Sequence, residues 1–218
     1  MDSSLNIQYG CGLSCPDGWL NFDASPRLRA ERMLLLGSAL DTSGKRLFPK
    51  AVRYGDIVRG LPVPKASAKA VYCSHVLEHI DRSGIILALR NTFDMPRPGG
   101  VFRLVVPDLA WRARSYLDAQ ANGDSVAADN FMRACYLGQE TQMRGLMNWL
   151  RLALGNADHR WMYDEAAMSV LLKSAGFTDI HRTTLGTAED PAFALVEEKG
   201  RFVDAGHDEL ALEARRPK

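Results

Sequence analysis

Two apolar runs near the amino terminus stand unusually close together, and their spacing limits what the chain can become. The first alternates Leu5, Ile7 and Tyr9 with Asn6 and Gln8; the second covers Trp19 to Phe22 and ends on Asp23. Read as strands, they are separated only by residues 10–18, which begin with Gly10-Cys11-Gly12. A full crossover between parallel strands takes roughly 10–12 residues or more. The spacing therefore predicts parallel strands whose first crossover helix is vestigial or absent. In an open parallel sheet, ligands sit outside the carboxyl ends of the strands, where the strand order reverses. A glycine-bearing turn there lets backbone N–H groups approach a ligand, and Asp23 can accept two hydrogen bonds from a ribose diol. That is a nucleoside-binding arrangement, although a lone G-x-G serves any tight turn as well.

The rest of the chain continues the pattern. Leu28 to Leu40 reads as a helix entered through Ser25-Pro26. Ala51 to Tyr54 is a short strand candidate, and Leu61-Pro62-Val63-Pro64 a loop. Lys69 to Ser74 reads as a buried strand, Ser83 to Phe93 as a helix, Pro96 to Gly100 as a turn, and Val101 to Val106 as the clearest strand. Strands alternating with helices predict an α/β sheet. Trp111 to Ala121, Val126 to Leu137 and Gln139 to Leu154 then read as helices, the last with a Met- and Leu-rich face. Inserted after a strand's carboxyl end, residues 109–160 are placed to cap the site. Asp164 is the expected N-cap of a helix over Glu165 to Ala175, with Gly176 after its end. Phe177 to Thr184 and Leu210 to Ala214 read as closing strands; residues 186–207 give no assignable pattern.

At 218 residues the expectation is a single domain spanning 1–218. A net charge of +1 without a long basic run argues against a nucleic-acid partner. No apolar run is long enough to span a bilayer, and no signal peptide is visible. Cys11, Cys15, Cys73 and Cys135 follow no zinc or disulfide spacing, so reduced thiols and a cytoplasmic setting are expected.

Several stretches together resemble the class I S-adenosylmethionine-dependent methyltransferases, particularly their small type-11-like members. They are IQYGCG, GWLNFD, YGDIVRGLPV, AVYCSHVLEHI, RPGGVFRLVVPD, HRWMYDEAAMSVLLKSAGF and LALEA, running from residue 5 to about 215. The resemblance implies a Rossmann-like seven-stranded sheet with its last strand antiparallel. It also implies S-adenosylmethionine as cofactor, with S-adenosylhomocysteine as product. Tyr9, Gly10, Cys11 and Gly12 would then form the loop under the cofactor's methionine part, and Asp23 would hold the ribose hydroxyls. Asp56 would accept from the adenine amino group, Ile57 would pack on the ring, and Ser74 and His75 would lie beside the methionyl end. Asp108 would face the acceptor. Trp161 and Tyr163 are aromatic residues that could line an acceptor pocket, with a hydrophobic-core role equally open to each. Two positions depart from the family pattern: Gln8 stands where an acid is usual, and Ser14 where the third glycine is usual.

Methyl transfer needs alignment and exclusion of water more than elaborate catalysis. An oxygen or nitrogen acceptor often also needs a base, which a neutral histidine suits. His159 is the first candidate and His79 the second. The expected activity is methyl transfer to an O or N atom of a small or carrier-linked acceptor, with glycan or secondary-metabolite chemistry suggested by the resemblance. A homodimer is compatible with this reading.

Three rival readings stand beside it. A non-catalytic protein could keep the fold and bind the nucleoside alone. His75-Val76-Leu77-Glu78-His79 also spells the inverted zinc-peptidase signature, which requires both histidines on one helical face. A nicotinamide-binding domain would need a third glycine where Cys15 stands and a full helix after the turn.

Overall fold

The computed structural model describes residues 5–33, 47–138, 158–204 and 206–218. In chain order its strands are β1 (Leu5–Tyr9), β2 (Trp19–Asp23), β3 (Arg53–Tyr54), β4 (Ala68–Ser74), β5 (Pro96–Val106), β6 (Thr178–Thr183), β7 (Val203–Asp204), β8 (His207–Asp208) and β9 (Leu210–Arg215). The helices among the described residues are α1 (Pro26–Arg32), α2 (Gly84–Asp94), α3 (Leu109–Ala121), α4 (Ala127–Ala134), α5 (Glu165–Ala175) and α6 (Lys199–Phe202). Single 3-10 turns occupy Leu77–His79 and Pro191–Leu195.

Seven strands form one sheet in the order β3-β2-β1-β4-β5-β9-β6, with β7 and β8 a separate two-stranded ribbon. β1 pairs in parallel with both β2 and β4, while β9 runs antiparallel to β5 and β6. This is the expected mixed sheet. The chain moves one way through β1, β2 and β3 and the other way through β4 and β5, so the switch point lies between β1 and β4. No helix occupies residues 10–18, as the short spacing required.

Alternation along each strand divides the core in two. Ile7, Tyr9, Phe22, Val71, Cys73, Phe102, Leu104, Leu210 and Leu212 face the layer containing α2 and α5, where Ile85, Leu89, Met168 and Leu172 complete the cluster. Trp19, Ala70, Tyr72, Val101, Val105 and Ala211 face the other way. Their cover is the stretch that sequence patterning left unassigned: Phe193, Val196 and Phe202 close that face. Arg103 lies fully buried beneath it, ion-paired with Glu197 and, at 2.6 Å, with Glu213. The connector thus does for one face what a first crossover helix would otherwise do.

Local signals account for most boundaries. The Asp164 carboxylate accepts from Ala167 N at 2.7 Å to start α5, and Gly176 ends it at φ 108°. The expected turn at 96–100 is instead a bulge within β5: Pro96 pairs with Ala68 and Val101 with Ala70, leaving four residues looped out between them. α1 ends at Arg32, short of the expected Leu40, and residues 34–40 lie outside the described residues. The helix expected over Gln139 to Leu154, and with it most of the second half of the 109–160 cap, also lies outside them. Among the described residues no helix is long and apolar enough to cross a membrane.

Candidate active site

Because β1 to β4 are parallel, their carboxyl ends meet along one edge, and a cavity of about 990 Å³ opens there. Its volume lies at the upper end of the roughly 300–1,000 Å³ typical of small-molecule sites. Tyr9 ends β1, Gly10 and Gly12 follow it, Asp23 ends β2, and Asp56 and Ile57 follow β3; all six line the cavity, as does His75 after β4.

Each of these positions is held by a specific local interaction. Gly10 adopts φ +70°, and a Cβ there would lie 1.9 Å from Val76 Cγ2, so only glycine fits the turn. Asp23 uses both oxygens to brace the surrounding backbone: Gly12 N donates to Oδ2 at 2.9 Å and Ser25 N to Oδ1 at 2.8 Å. A carboxylate has about four acceptor sites, so capacity remains for a diol. Asp56 accepts from Val58 N at 2.9 Å, and Asn91 Nδ2 ties down the loop by donating to the Ile57 and Val58 carbonyls. Thr92 donates its hydroxyl proton to Ala88 O, so Tyr9 donates to Thr92 Oγ1 at 3.0 Å and is fixed as part of the cavity floor.

Other expected residues stand off the wall. The Cys11 side chain turns into a small cluster with Leu28, Phe48 and Val52. Burial pushes its thiol up to about 12, with the Asp23 carboxylate adding to the effect. Ser74 is buried at the end of β4 and is not among the lining residues. Gln8 faces the opposite side of the sheet from Tyr9, and its Nε2 donates to Ser14 O at 3.3 Å. The amide therefore closes the turn instead of reaching a ligand. The acceptor-facing role expected of Asp108 is corrected. Its Oδ1 caps α3 by accepting from Ala110 N and Trp111 N, and its Oδ2 holds Arg182 at 2.9 Å. Trp161 is exposed under the Arg82 guanidinium, and Tyr163 is buried in the main core. Neither lines the cavity.

Two histidines line the cavity and a third stands close by. His79 is on the cavity wall, while His159 stands behind it with ring centroids 5.1 Å apart. The Glu78 carbonyl brings them together by accepting from Arg160 N at 2.7 Å and Trp161 N at 3.1 Å, which docks the 158–161 connector on the 3-10 turn. Burial holds the His159 pKa below its ordinary value, with the Glu78 carboxylate opposing and the His79 ring assisting. His159 is therefore neutral near pH 7 and able to take a proton. His75 behaves differently. Its Nε2–H donates to Arg201 O at 2.8 Å and its Nδ1 lies 3.1 Å from Glu78 Oε1. Burial works against its charge, but Glu78 and the Arg201 carbonyl outweigh burial and raise its pKa.

The zinc-peptidase reading of this motif is corrected by the same geometry. His75 sits in the left-handed region at φ 52° and the turn begins only at Leu77, so His75 and His79 do not share a helical face. A nicotinamide-binding turn is excluded as well, because no helix follows Gly12.

Val76, Ile80, Arg160, Gly200 and Arg201 also line the cavity and were missed from sequence. Arg201 matters most. Its Nη2 lies 3.4 Å from where a Gly12 Cβ would stand, and its Nη1 donates to Ser74 O at 3.4 Å. It thus sets a cation over the glycine turn. Val76 and Ile80 belong to the HVLEHI stretch and were accessible in principle; Arg201 comes from the unpatterned connector.

A family profile described as a methyltransferase domain matches residues 13–182. Among solved structures, the chain is similar to a SAM-dependent methyltransferase from Thermotoga maritima, described as a possible histamine N-methyltransferase. That match has 13% identity and a TM-score of 0.51, covering 98% of this chain and 82% of the other. A SAM-dependent methyltransferase from Archaeoglobus fulgidus aligns at 12% identity and a TM-score of 0.49, covering 98% and 86%. At such identities the first likeness speaks for the fold alone. No curated protein matches by sequence. The profile, which covers most of the chain, carries the assignment: this protein belongs to the methyltransferase domain family.

Proposed function

We propose that the chain transfers a methyl group from S-adenosylmethionine to an oxygen or nitrogen atom of a small or carrier-linked acceptor. The observation that carries this reading is the single cavity that gathers Gly10, Gly12, Asp23, Asp56, Ile57 and His79. When bound, S-adenosylmethionine supplies an activated methyl on a sulfonium leaving group. The residues present fit that cofactor. Gly10 allows the close turn against Val76 that any side chain would break, Asp23 keeps acceptor capacity for the ribose hydroxyls, and Asp56 does so for the adenine amino group. Ile57 offers an apolar surface to the adenine ring. The Arg201 guanidinium pairs with the methionyl carboxylate, a charge-assisted contact.

At the acceptor end, His79 faces the cavity and neutral His159 stands behind it, so a proton released by the acceptor passes to His79 and can be shared with His159. Within one methyltransferase domain, residues 109–138 follow the carboxyl end of β5, and the 158–161 connector brings Arg160 to the cavity wall. The test is transfer of labelled methyl from S-adenosylmethionine to a panel of hydroxyl and amine acceptors. Label should appear in an acceptor, and His79→Ala should slow that transfer by about 10²-fold or more while leaving cofactor binding intact. Cofactor binding without transfer to any acceptor would instead favour a binding protein that has lost the chemistry.

A further inference from the structure

Glu78, His79 and His159 place one ligand atom each within 4.8 Å of one another, at the edge of the cavity that His79 lines. The Glu78 carboxylate is completely buried. His75 Nδ1 stands 3.1 Å from Oε1, and among the described residues Oε2 has no donor. A buried carboxylate oxygen lacking a donor is costly unless something cationic completes its surroundings. Among the described residues His159 Nδ1 is also buried without a partner. His79 Nδ1–H donates to the Asp158 carbonyl at 3.1 Å, which in the neutral ring leaves the lone pair on Nε2. A carbonyl fixing the tautomer of an imidazole in this way is the usual support of a metal-ligating histidine.

We propose that Glu78, His79 and His159 bind a first-row divalent cation such as Zn²⁺ or Co²⁺. Two imidazoles and one carboxylate suit this class of metal and leave coordination positions open. A tetrahedral site with bonds of about 2.0–2.2 Å needs ligand atoms roughly 3.4 Å apart, so closure takes side-chain shifts of the order of 1 Å. His79 and Glu78 come from the turn after β4 and His159 from the connector docked on the Glu78 carbonyl, so the cation also joins two segments. The site does not depend on the methyltransferase reading; its consequence for the acceptor does. A cation at the cavity edge favours acceptors carrying a hydroxyl. With the cation bound, His79 and His159 are ligands and no longer take the proton: the hydroxyl proton leaves to solvent, the oxygen lone pair forms the new bond to the methyl carbon, and the departing sulfur keeps the C–S pair.

The experiment strips the purified protein with a chelator and titrates it with Co²⁺, following the visible ligand-field bands, and with Zn²⁺ by calorimetry. Wild type should bind one equivalent of each, and His159→Ala and Glu78→Gln should each weaken binding at least tenfold. S-adenosylhomocysteine titrated into the same samples reports whether the variants keep the fold and the cofactor cavity. His159 is only half-buried, so its variant serves if Glu78→Gln does not fold. Absence of bands and heat in folded wild type, or equal affinity in folded variants, overturns the site. One equivalent of Co²⁺ lost in the variants, with no S-adenosylhomocysteine binding anywhere, would support the cation site and count against the methyltransferase reading.

Discussion

The wall made by β1, β2 and β3 and the wall made by Gly200 and Arg201 line the same cavity, yet they are built in different ways. The first uses strand ends: a glycine turn, then an acid where the chain leaves a parallel strand. Backbone N–H groups close in sequence fix the Asp23 and Asp56 carboxylates, and Thr92 and Asn91 of α2 fix the Tyr9 hydroxyl and the Ile57 carbonyl. The second hangs from the far face of the sheet. Arg201 is in place because Phe193 and Phe202 are anchored beneath the sheet and because the Arg201 carbonyl accepts from His75. Ligand chemistry on the first wall therefore depends on local backbone, and on the second wall it depends on distant packing. The two walls should fail differently when perturbed.

The largest effect is expected from Phe193→Ala. Phe193 is fully buried and packs against Trp19 and Tyr72 at centroid distances of 5.8 and 6.3 Å. Truncating such a residue costs about 3–5 kcal/mol. Chemical denaturation should show that loss, with weaker cofactor binding alongside it although Phe193 does not line the cavity. Gly10→Ala strikes the other wall. The clash with Val76 and the positive φ together should cost about 2 kcal/mol of stability. Titration calorimetry should find S-adenosylhomocysteine binding lost even where the variant remains folded. If Phe193→Ala left ligand affinity untouched, the proposed dependence of the second wall on far-face packing would be wrong.

A finer distinction comes from Arg201→Ala. It should weaken S-adenosylhomocysteine about tenfold, near the 1.4 kcal/mol of one charge-assisted contact, while leaving adenosine, which has no methionyl carboxylate, nearly unchanged. Equal losses for both ligands would mean that Arg201 acts only on the shape of the wall. The smallest effect concerns pH. The folded-state pKa of His75 lies above its ordinary value, so the stability it contributes is fully present below that ordinary value. It is lost as pH rises through the raised one. Melting temperatures of wild type and His75→Gln should therefore differ most in mild acid and converge on the alkaline side.

How far the sequence could be read follows the same division. Strand ends, the missing first helix and the α5 caps were legible, because they depend on alternation, spacing and capping residues within short windows; the seven-stranded sheet with an antiparallel last strand came from the family resemblance. Residues 186–204 were not. Their apolar anchors Phe193, Val196 and Phe202 fall in a 3-10 turn and a single helical turn, with no period to detect, and their charges are satisfied by Arg103, about ninety residues earlier. Asp108 shows the opposite failure: a carboxylate at the end of a central strand looks like a substrate ligand, but here a helix start and Arg182 use it. His159 was legible as a candidate, but its partners were not. A backbone carbonyl, that of Glu78, docks its segment beside His79, and sequence carries no sign of that contact.

The central claim is that this cavity holds S-adenosylmethionine by its ribose at Asp23. Titration calorimetry of S-adenosylhomocysteine against wild type and Asp23→Ala tests it most directly, with circular dichroism to verify that the variant is folded. Wild type should bind at about micromolar Kd, and the folded variant at least tenfold more weakly, in line with the loss of hydrogen bonds to a charged group. Equal binding by the two proteins, or none by wild type, would contradict the account.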